Sequence, residues 1–273
     1  MLEITVCRDL DQARRLWQRH WPRHGLFDLW PVRACFQDQF RHPPHFLVAA
    51  RGAKVCGLLA LSWIGEQGYF GHFPGELWHG KTWIEQNKII AADTRVARAL
   101  ISHLPRETRI RYLVAGDHLH LEPRAVVDEV GYLFFPRQFD YRFETYRQLF
   151  SGKTRRKIRS ELERLNARGI AFRFNHWADM ETLLRLNLDR YQDQSYFSDQ
   201  RFRRAMENLA AWLRDQGLLR LTTVLVGGRV AAVDMGAVYN GSYTVLAGGT
   251  HPDFPGIAKL INFHHLEWAC SQR

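Results

Sequence analysis

A carboxylate lies inside an otherwise apolar segment of the chain, where Asp234 follows Ala231, Ala232 and Val233 and precedes Met235. Burying a carboxylate without a partner is strongly unfavourable, so a residue of this kind has either a chemical role or a charged neighbour. We expect Asp234 to act as a base or to anchor an acceptor substrate. An ion pair with a neighbouring arginine is the alternative.

Two further side chains that can transfer protons follow Asp234 in the sequence. Tyr243 is a candidate acid, because a phenol can donate its proton to a leaving group, although a tyrosine in a strand also serves as a packing residue. His251 titrates near neutral pH and is a third candidate, with a solvated loop position as the alternative.

The segment 153–168 is strongly basic and has helical spacing. Its apolar residues Ile158, Leu162 and Leu165 form a stripe that would pack against the protein, and Gly169 would end the helix. The opposite face would bind a phosphate, an acidic sugar polymer or a nucleic acid, or would simply be solvated. The sequence contains no helix-turn-helix, zinc-finger or RNP signature. The basic residues are Lys153, Arg155, Arg156, Lys157, Arg159, Arg164 and Arg168.

The sequence does not support a metal site. His264 and His265 are adjacent, and adjacent residues on a helix point about 100° apart, so they do not chelate one ion together. The four cysteines are scattered and form no Cys-x-x-Cys pair. We therefore predict that the protein uses no metal.

Composition and charge indicate a globular protein with anionic partners. Hydrophobic residues make up 46% of the 273 residues and charged residues 24%, which excludes a disordered chain. The formal charge of +10 favours nucleic acid, a phosphorylated donor or an acidic polymer as partner. No apolar run approaches the ~20 residues of a membrane span, and the first residues lack the order of a secretory signal. We expect a soluble, cytoplasmic protein without membrane insertion.

The elements that would position these residues repeat in the two halves of the chain. After the basic helix we predict a strand, two helices, a three-stranded meander and a helix, at 170–175, 180–191, 201–216, 218–248 and 257–269. The meander has turns at Gly227-Gly228 and Asn240-Gly241, and Asn-Gly is a strong hairpin signal.

The first half has a similar predicted order. Strands are predicted at 2–7, 46–51, 55–64, 68–73, 109–115, 132–135 and 139–145, and helices at 10–20, 94–104 and 122–129. Aromatic residues crowd between positions 63 and 83, where they would line an acceptor pocket or pack in the core. We predict an α/β (α+β) fold of two tandem units, at 1–145 and 146–273, with mixed central sheets flanked by helices.

This order of elements resembles the Gcn5-related N-acetyltransferase (GNAT) fold. The stretch Ser151 to Leu165 resembles the basic helix that opens the second unit in the branch associated with cellulose and exopolysaccharide biosynthesis. The stretch Ala247 to Leu260, AGGTHPDFPGIAKL, resembles the donor-binding loop and helix start of that branch. The branch is related to the Fem-type aminoacyl-transferases of peptidoglycan synthesis, which also have two such units.

The resemblance implies an N-acyltransferase that moves an acyl group from acetyl-CoA or another acyl-CoA to an amine on a small molecule or saccharide. The first turn of a helix leaves backbone N–H groups free, so the start of the last helix would receive the pyrophosphate. The amine would attack the thioester directly, with Asp234, Tyr243 and His251 as candidates for the proton transfers. The donor-binding candidates are Leu246, Ala247, Gly248, Gly256, Ile257, Ala258 and Lys259.

The resemblance also leaves alternatives. The first unit would be degenerate and shape the acceptor pocket, in polysaccharide or cell-envelope metabolism. One alternative is aminoacyl transfer from a charged tRNA, which would use the basic helix, and another is a non-catalytic binding or scaffold protein of this fold. Members of the branch continue past the last helix with a further strand, whereas this sequence ends at Arg273. The first half, a second copy in a homodimer or further sequence would then complete the second unit.

Overall fold

The computed structural model describes residues 1–114, 125–127 and 130–272. Contacts within the chain divide it into two compact units, Met1–Val130 with Asp199–Trp212 and Gly131–Ser198 with Leu213–Arg273. The second unit therefore begins before the predicted residue 146, and the segment 199–212 groups with the first unit.

The first unit is built on an antiparallel sheet. Its strands are β1 (Leu2–Cys7), β2 (Pro44–Arg51), β3 (Lys54–Ile64) and β4 (Tyr69–His72), in that spatial order, and the short β5 (Ile90–Ala91), which pairs with β3. Its helices are α1 (Leu10–His20), α2 (Trp30–Phe40) and α3 (Thr94–Ser102). The strand β3 contains an apolar run whose Leu58, Leu59 and Leu61 are all buried, as expected for a strand covered on both faces.

The second unit has a four-stranded antiparallel sheet. Its strands are β6 (Ile170–Phe174), β7 (Leu219–Val226), β8 (Arg229–Tyr239) and β9 (Ser242–Thr250), in that spatial order. Its helices are α4 (Phe143–Arg147), α5 (Gly152–Asn166), α6 (Asp179–Tyr191) and α8 (Ile257–Ser271), while α7 (Gln200–Asp215) crosses the boundary of the contact division. The apolar strand β8 lies between β7 and β9, and α8 packs on it.

The turn chemistry that the sequence predicts is confirmed in the second unit. Asn240 and Gly241 both have positive φ, 49° and 70°, and so do Gly227 and Gly228, at 58° and 77°. A two-residue turn with both central residues left-handed matches the twist of the strands that it joins. The two turns fix the register of β7, β8 and β9, which decides which side chains share a face.

The architecture confirms the predicted α/β class, with two sheets flanked by helices. Each half contains the order strand, helix, helix, three strands, helix, with the short β5 added before α3 in the first half. The four main strands have corresponding spatial orders in the two sheets. The origin of the two units in a tandem duplication stays a prediction. We expected mixed sheets, but the strands pair antiparallel, and the parallel pairings among the described residues are the isolated bridges Phe70–Thr108 and Asn87–Leu113.

Two predicted strands before α5 are wrong. Residues 132–135 form no strand, and 139–145 contain the end of a 3-10 turn and the start of α4. Asp140 and Tyr141 both have positive φ, which a strand does not accept, and the aromatic residues pack on one another instead of on a sheet, as Phe134 and Tyr146 do at 5.1 Å.

The predicted strand at 109–115 is present over its described part, 109–114, only as the isolated bridge between Leu113 and Asn87. Most of the predicted helix at 122–129 lies outside the described residues. Within the residues that the structure describes, no helix combines the length and the apolar character needed to cross a bilayer.

Candidate functional site

Asp234 is buried at the centre of β8, with 6% of its surface exposed. Its Oδ2 lies 3.0 Å from Nε2 of His265, which α8 places over the sheet. The partner of this carboxylate is thus a histidine, where the sequence suggested an arginine as the alternative to a chemical role. An ionised Asp234 accepts a hydrogen bond from Nε2–H of His265. The Nδ1 of His265 is buried and has no hydrogen-bond partner among the described residues.

The register of the sheet creates the space that Asp234 occupies. Thr222 on β7 and Gly248 on β9 are its cross-strand neighbours. A Cβ atom added at Gly248 would lie 2.3 Å from the Oδ1 of Asp234, closer than real atoms approach. Only glycine therefore fits at position 248 while Asp234 keeps this conformation.

Tyr243 lies on the same face, at the start of β9. Its ring covers Gly236, and its centroid lies 5.1 Å from that of His265 and 5.4 Å from that of Trp268. The phenolic oxygen is buried and has no hydrogen-bond partner among the described residues. Burial, and then the negative charge of Asp234, raise the pKa of Tyr243 well above its ordinary value, and Arg220 opposes this only in part. The phenol therefore stays protonated and keeps its proton available for donation.

A cation and a neutral histidine border this cluster. The guanidinium of Arg220 lies 3.8 Å from the ring centre of Trp268 and 5.1 Å from that of Phe174, and burial lowers its pKa. His264 stacks on Phe172 at 4.1 Å. Burial, then the neighbouring His265 and Arg220, lower the pKa of His264 to about 4, so it is neutral at physiological pH.

From the sequence, His265 was considered only as a metal ligand, and Arg220 was not predicted to belong to a site. A signal for His265 was present, because it continues the buried stripe of Ile257 and Ile261 at intervals of four along α8. A histidine in an apolar stripe needs a polar partner beneath it, and Asp234 was the unpaired carboxylate in the facing sheet. The position of Arg220 depends on the register of β7 and had no comparable signal.

The start of α8 is less open than the resemblance implies. The amide of Ile257 donates to the carbonyl of Phe254 at 3.1 Å, and the amides of Lys259 and Leu260 donate to that of Gly256 at 3.0 and 3.1 Å. Ile257 is buried in the core with Phe254, whereas Ala258 is exposed. The helix start therefore offers an anion the exposed side at Ala258 rather than a full set of free amides.

A carboxylate of the protein already lies beside this helix start. The Nζ of Lys259 is hydrogen-bonded to Oε2 of Glu161 on α5, and this bond is the main cause of a lowered pKa for Glu161. Gly256, which immediately precedes α8 and has a φ of 92°, faces the same glutamate. Lys259 was expected to lie beside a donor phosphate, but in the structure its charge is balanced by Glu161.

The strand before α8 is the last strand of its sheet. Leu246 is buried and Ala247 is half-buried on β9. The carbonyl of Gly248 accepts a hydrogen bond from Nδ2 of Asn187 on α6 at 2.7 Å, so it is not available to a ligand in this conformation.

His251 lies away from the Asp234 cluster. Its Nδ1 accepts a hydrogen bond from the amide of Asp253 at 3.2 Å, and its ring packs on Phe254 at 5.5 Å. The structure thus brings Asp234 and Tyr243 together and places His251 in the loop that leads to α8.

The predicted aromatic cluster and the predicted basic helix have the environments of packing residues and of surface residues. The aromatic residues at 63–83 pack largely in the first unit, as where Trp83 stacks on Phe36 at 5.2 Å and Phe73 on Trp30 at the same distance. The basic residues of α5 are mostly exposed. No group of residues suited to hold a metal ion occurs in the described part of the chain.

Comparisons with known proteins agree with this architecture. Residues 152–273 match the family model described as an acetyltransferase (GNAT) domain. A conserved protein of unknown function from Bacteroides thetaiotaomicron VPI-5482 has a similar structure, with a TM-score of 0.56 and 15% identity, over 97% of this chain and 86% of that one. FemX is similar with a TM-score of 0.54 and 12% identity, over 97% of this chain and 85% of that one.

No curated protein matches the chain in a sequence search. At these identities the structural likeness concerns the fold alone. The family match contains the whole Asp234, Tyr243 and His265 cluster and the start of α8. The second half of the chain is thus similar in sequence to GNAT acetyltransferase domains, and the chain shares its fold with FemX.

Proposed function

We propose that the protein is an N-acyltransferase that moves an acyl group from an acyl-CoA, such as acetyl-CoA, to an amine of a small molecule or saccharide. The observation that carries this proposal is the buried Tyr243–His265–Asp234 cluster inside the segment that matches the acetyltransferase family. A family match alone would also fit an inactive relative, whereas an unpartnered phenol beside a histidine–carboxylate pair is an arrangement suited to proton transfer.

The donor would lie along β9. Its phosphates would meet the exposed side of the start of α8 at Ala258, with His251 nearby in the preceding loop. The acyl arm would then follow β9 past Ala247 and Leu246 towards Tyr243. A strand rises ~3.3 Å per residue, so the path from Thr250 to Tyr243 is roughly 20 Å long. An extended pantetheine arm suits such a path.

Tyr243 would act as the acid of the reaction. The amine nitrogen attacks the thioester carbonyl carbon, a C–N bond forms and the C–S bond breaks. The departing sulfur takes the phenolic proton of Tyr243, and the proton that the amine loses passes through solvent to the phenolate oxygen. The raised pKa of Tyr243 keeps the phenol protonated before the reaction but makes it a weak acid towards a thiolate, so the gain of the amine proton must accompany the loss of the phenolic proton to sulfur.

Asp234 and His265 would act through Tyr243 as positioning residues. His265 packs against the phenol ring, and Asp234 fixes the orientation of His265 through Nε2. The charge of Asp234 also helps to hold the phenol in its protonated form.

The test follows thiol release from acetyl-CoA with a panel of amines, including amino sugars. The Tyr243→Phe variant should bind acetyl-CoA as the parent protein does and turn over about 100-fold more slowly. The matched control is Tyr191→Phe, an exposed tyrosine of α6, which should react normally. A normal rate in Tyr243→Phe would remove Tyr243 from the reaction.

Aminoacyl transfer from a charged tRNA is the second candidate. Two observations favour it: the exposed basic residues of α5, and Glu161, whose carboxylate lies where a polyphosphate would bind. Thermal stabilisation by tRNA but not by acetyl-CoA would select this alternative. Stabilisation by neither would favour a non-catalytic binding role.

A further inference from the structure

A pocket in the first unit leads from two exposed arginines to a completely buried one. Its lining includes Arg109 and Arg111 at the surface, and Arg33, His72, Glu76 and Asn87 inside. Its empty volume, including the open mouth, is about 370 Å³. Little of this volume is wide enough for a water-sized group, so a ligand would enter with one small group and lie mostly at the mouth.

Arg33 indicates a ligand site because it is a buried cation with an unused hydrogen-bond donor. Only 1% of its surface is exposed, yet its hydrogen bonds go to neutral acceptors. Nε donates to the carbonyl of Phe27 at 2.9 Å, and Nη1 donates to the carbonyl of Phe73 at 2.6 Å, to Oδ1 of Asn87 at 2.8 Å and to Nδ1 of His72 at 3.3 Å. Nη2 has no hydrogen-bond partner among the described residues. A buried cation normally pairs with an anion.

The carboxylates near Arg33 are engaged elsewhere. Both oxygens of Asp28 are bonded to Nζ of Lys88, at 2.5 and 2.7 Å. Oε1 of Glu76 accepts the amides of Trp83 and Ile84, at 3.0 and 2.7 Å. The described residues therefore supply no carboxylate in hydrogen-bond contact with Arg33, while the mouth adds two positive charges.

Glu76 makes the charge of the pocket depend on pH. Burial raises its pKa to about 7, against the two backbone hydrogen bonds and the charge of Arg33. The other charged groups that face it are Arg33, Arg109 and Arg111 and, further away, the Asp28–Lys88 pair. His72 does not titrate in this range, because burial and Arg33 lower its pKa to about 3. Below pH 7 the pocket thus becomes more positive.

We propose that this Arg33 pocket binds a small dicarboxylic acid, with one carboxylate on Nη2 of Arg33 and the other between Arg109 and Arg111. A carboxylate oxygen can accept hydrogen bonds from Nη2, which has no partner among the described residues, and the charge of the carboxylate would compensate the buried guanidinium. The site belongs to the first unit and does not depend on acyl transfer in the second.

The test measures the affinity of succinate and acetate by calorimetry at constant ionic strength. Succinate should bind more tightly than acetate, because only the dicarboxylate reaches the mouth. The double variant Arg109→Gln, Arg111→Gln should remove that advantage, about fivefold or more. The matched control, Arg95→Gln with Arg98→Gln, removes two exposed charges from α3, outside the pocket, and should bind succinate normally.

The Glu76→Gln variant provides an independent reading. A glutamine Oε1 can still accept the two backbone amides, so the variant should fold. The parent protein should bind succinate more weakly at pH 8.5 than at pH 6.5, as Glu76 ionises, and the variant should bind equally at both values. Absence of succinate binding, or equal affinity in the parent, the mouth variant and Glu76→Gln, would mean that the pocket holds only structural water and would overturn the proposal.

Discussion

His265 and Asp234 face each other at 3.0 Å, from a helix and a strand that the sequence separates by thirty-one residues. Both side chains are buried, and the carboxylate packs against the backbone of Gly248, which leaves no room for a side chain there. Such a pair is maintained only if the hydrogen bond and the packing offset the desolvation of the charge. Its position against the ring of Tyr243 links it to the chemistry proposed for this unit.

The Asp234→Asn variant should remove the negative charge of this pair and keep its hydrogen bond. An asparagine Oδ1 can still accept the Nε2–H of His265, so we expect the fold and acetyl-CoA affinity to persist while turnover falls about tenfold or more. Removing the negative charge should also lower the pKa of Tyr243. The alkaline limb of the kcat–pH profile should therefore move to lower pH.

The control is Asp215→Asn, an exposed carboxylate at the end of α7. Asp234→Ala should instead cost about 1–3 kcal/mol of unfolding free energy, because it strands His265 without an acceptor. If the kcat–pH profile of Asp234→Asn coincides with that of the parent, the charge of Asp234 does not influence Tyr243.

Asp234 could be identified from the sequence because its neighbours on β8 are apolar, so its burial followed from the strand pattern alone. His265 could not be paired with it, since that requires knowing which face of α8 meets which strand. Arg220 and Gly236 belong to the site through the register between β7, β8 and β9, which tertiary contacts complete.

Gly248→Ala should displace Asp234. The added methyl would lie 2.3 Å from Oδ1, so either the carboxylate leaves His265 or the strands move apart. We expect a loss of about 1–3 kcal/mol in chemical denaturation, together with lower turnover. Gly152→Ala is the control, because it sits at the start of α5 with no atom in the way, and it should be neutral or slightly stabilising. Parent-like stability in Gly248→Ala would contradict the packing described for Asp234.

Glu161→Gln should strengthen donor binding. The glutamate carboxylate lies beside the start of α8 and compensates Lys259. Its neutralisation frees that lysine for a phosphate and removes a repulsive charge, so the affinity for acetyl-CoA should rise about threefold to tenfold. Glu163→Gln, an exposed change two residues further along α5, should leave calorimetric affinity unchanged. A weaker affinity in Glu161→Gln would place the donor elsewhere.

Acid should destabilise the second unit through Asp179. Burial would raise the pKa of this carboxyl, but hydrogen bonds from Arg173 at 2.6 and 2.9 Å and from Thr223 at 2.5 Å lower it overall. The resulting stability is present above the unfolded pKa of about 3.9 and is lost as pH falls through the lower folded value.

Asp179→Asn should therefore be less stable than the parent at pH 7 and should lose less stability between pH 5 and pH 2, measured as urea midpoints. Asp189→Asn, an exposed position on the same helix, should follow the parent curve. Parallel curves for the parent and Asp179→Asn would show that this carboxyl does not contribute to acid unfolding.

The hairpins and the long amphipathic helices could be predicted because their signals are local: turn residues with left-handed backbone, and apolar residues at fixed intervals. The stretch 132–145 was misjudged, since its aromatic residues favour strands in isolation but find aromatic partners here, such as Phe143 against Phe263. The pairing of Lys259 with Glu161, far away in the sequence, depends on how α5 packs beside α8, and only the folded chain reveals it.

The hydrogen bonds of Arg33 affect how the first unit unfolds. Its guanidinium is tied at once to the carbonyls of Phe27 and Phe73 and to the amide oxygen of Asn87, three points far apart along the chain. Opening any one of these segments exposes a cation that was held by the other two. Amide protons across this region should therefore exchange together, in one cooperative event, and a protease should find few partly opened forms to cut.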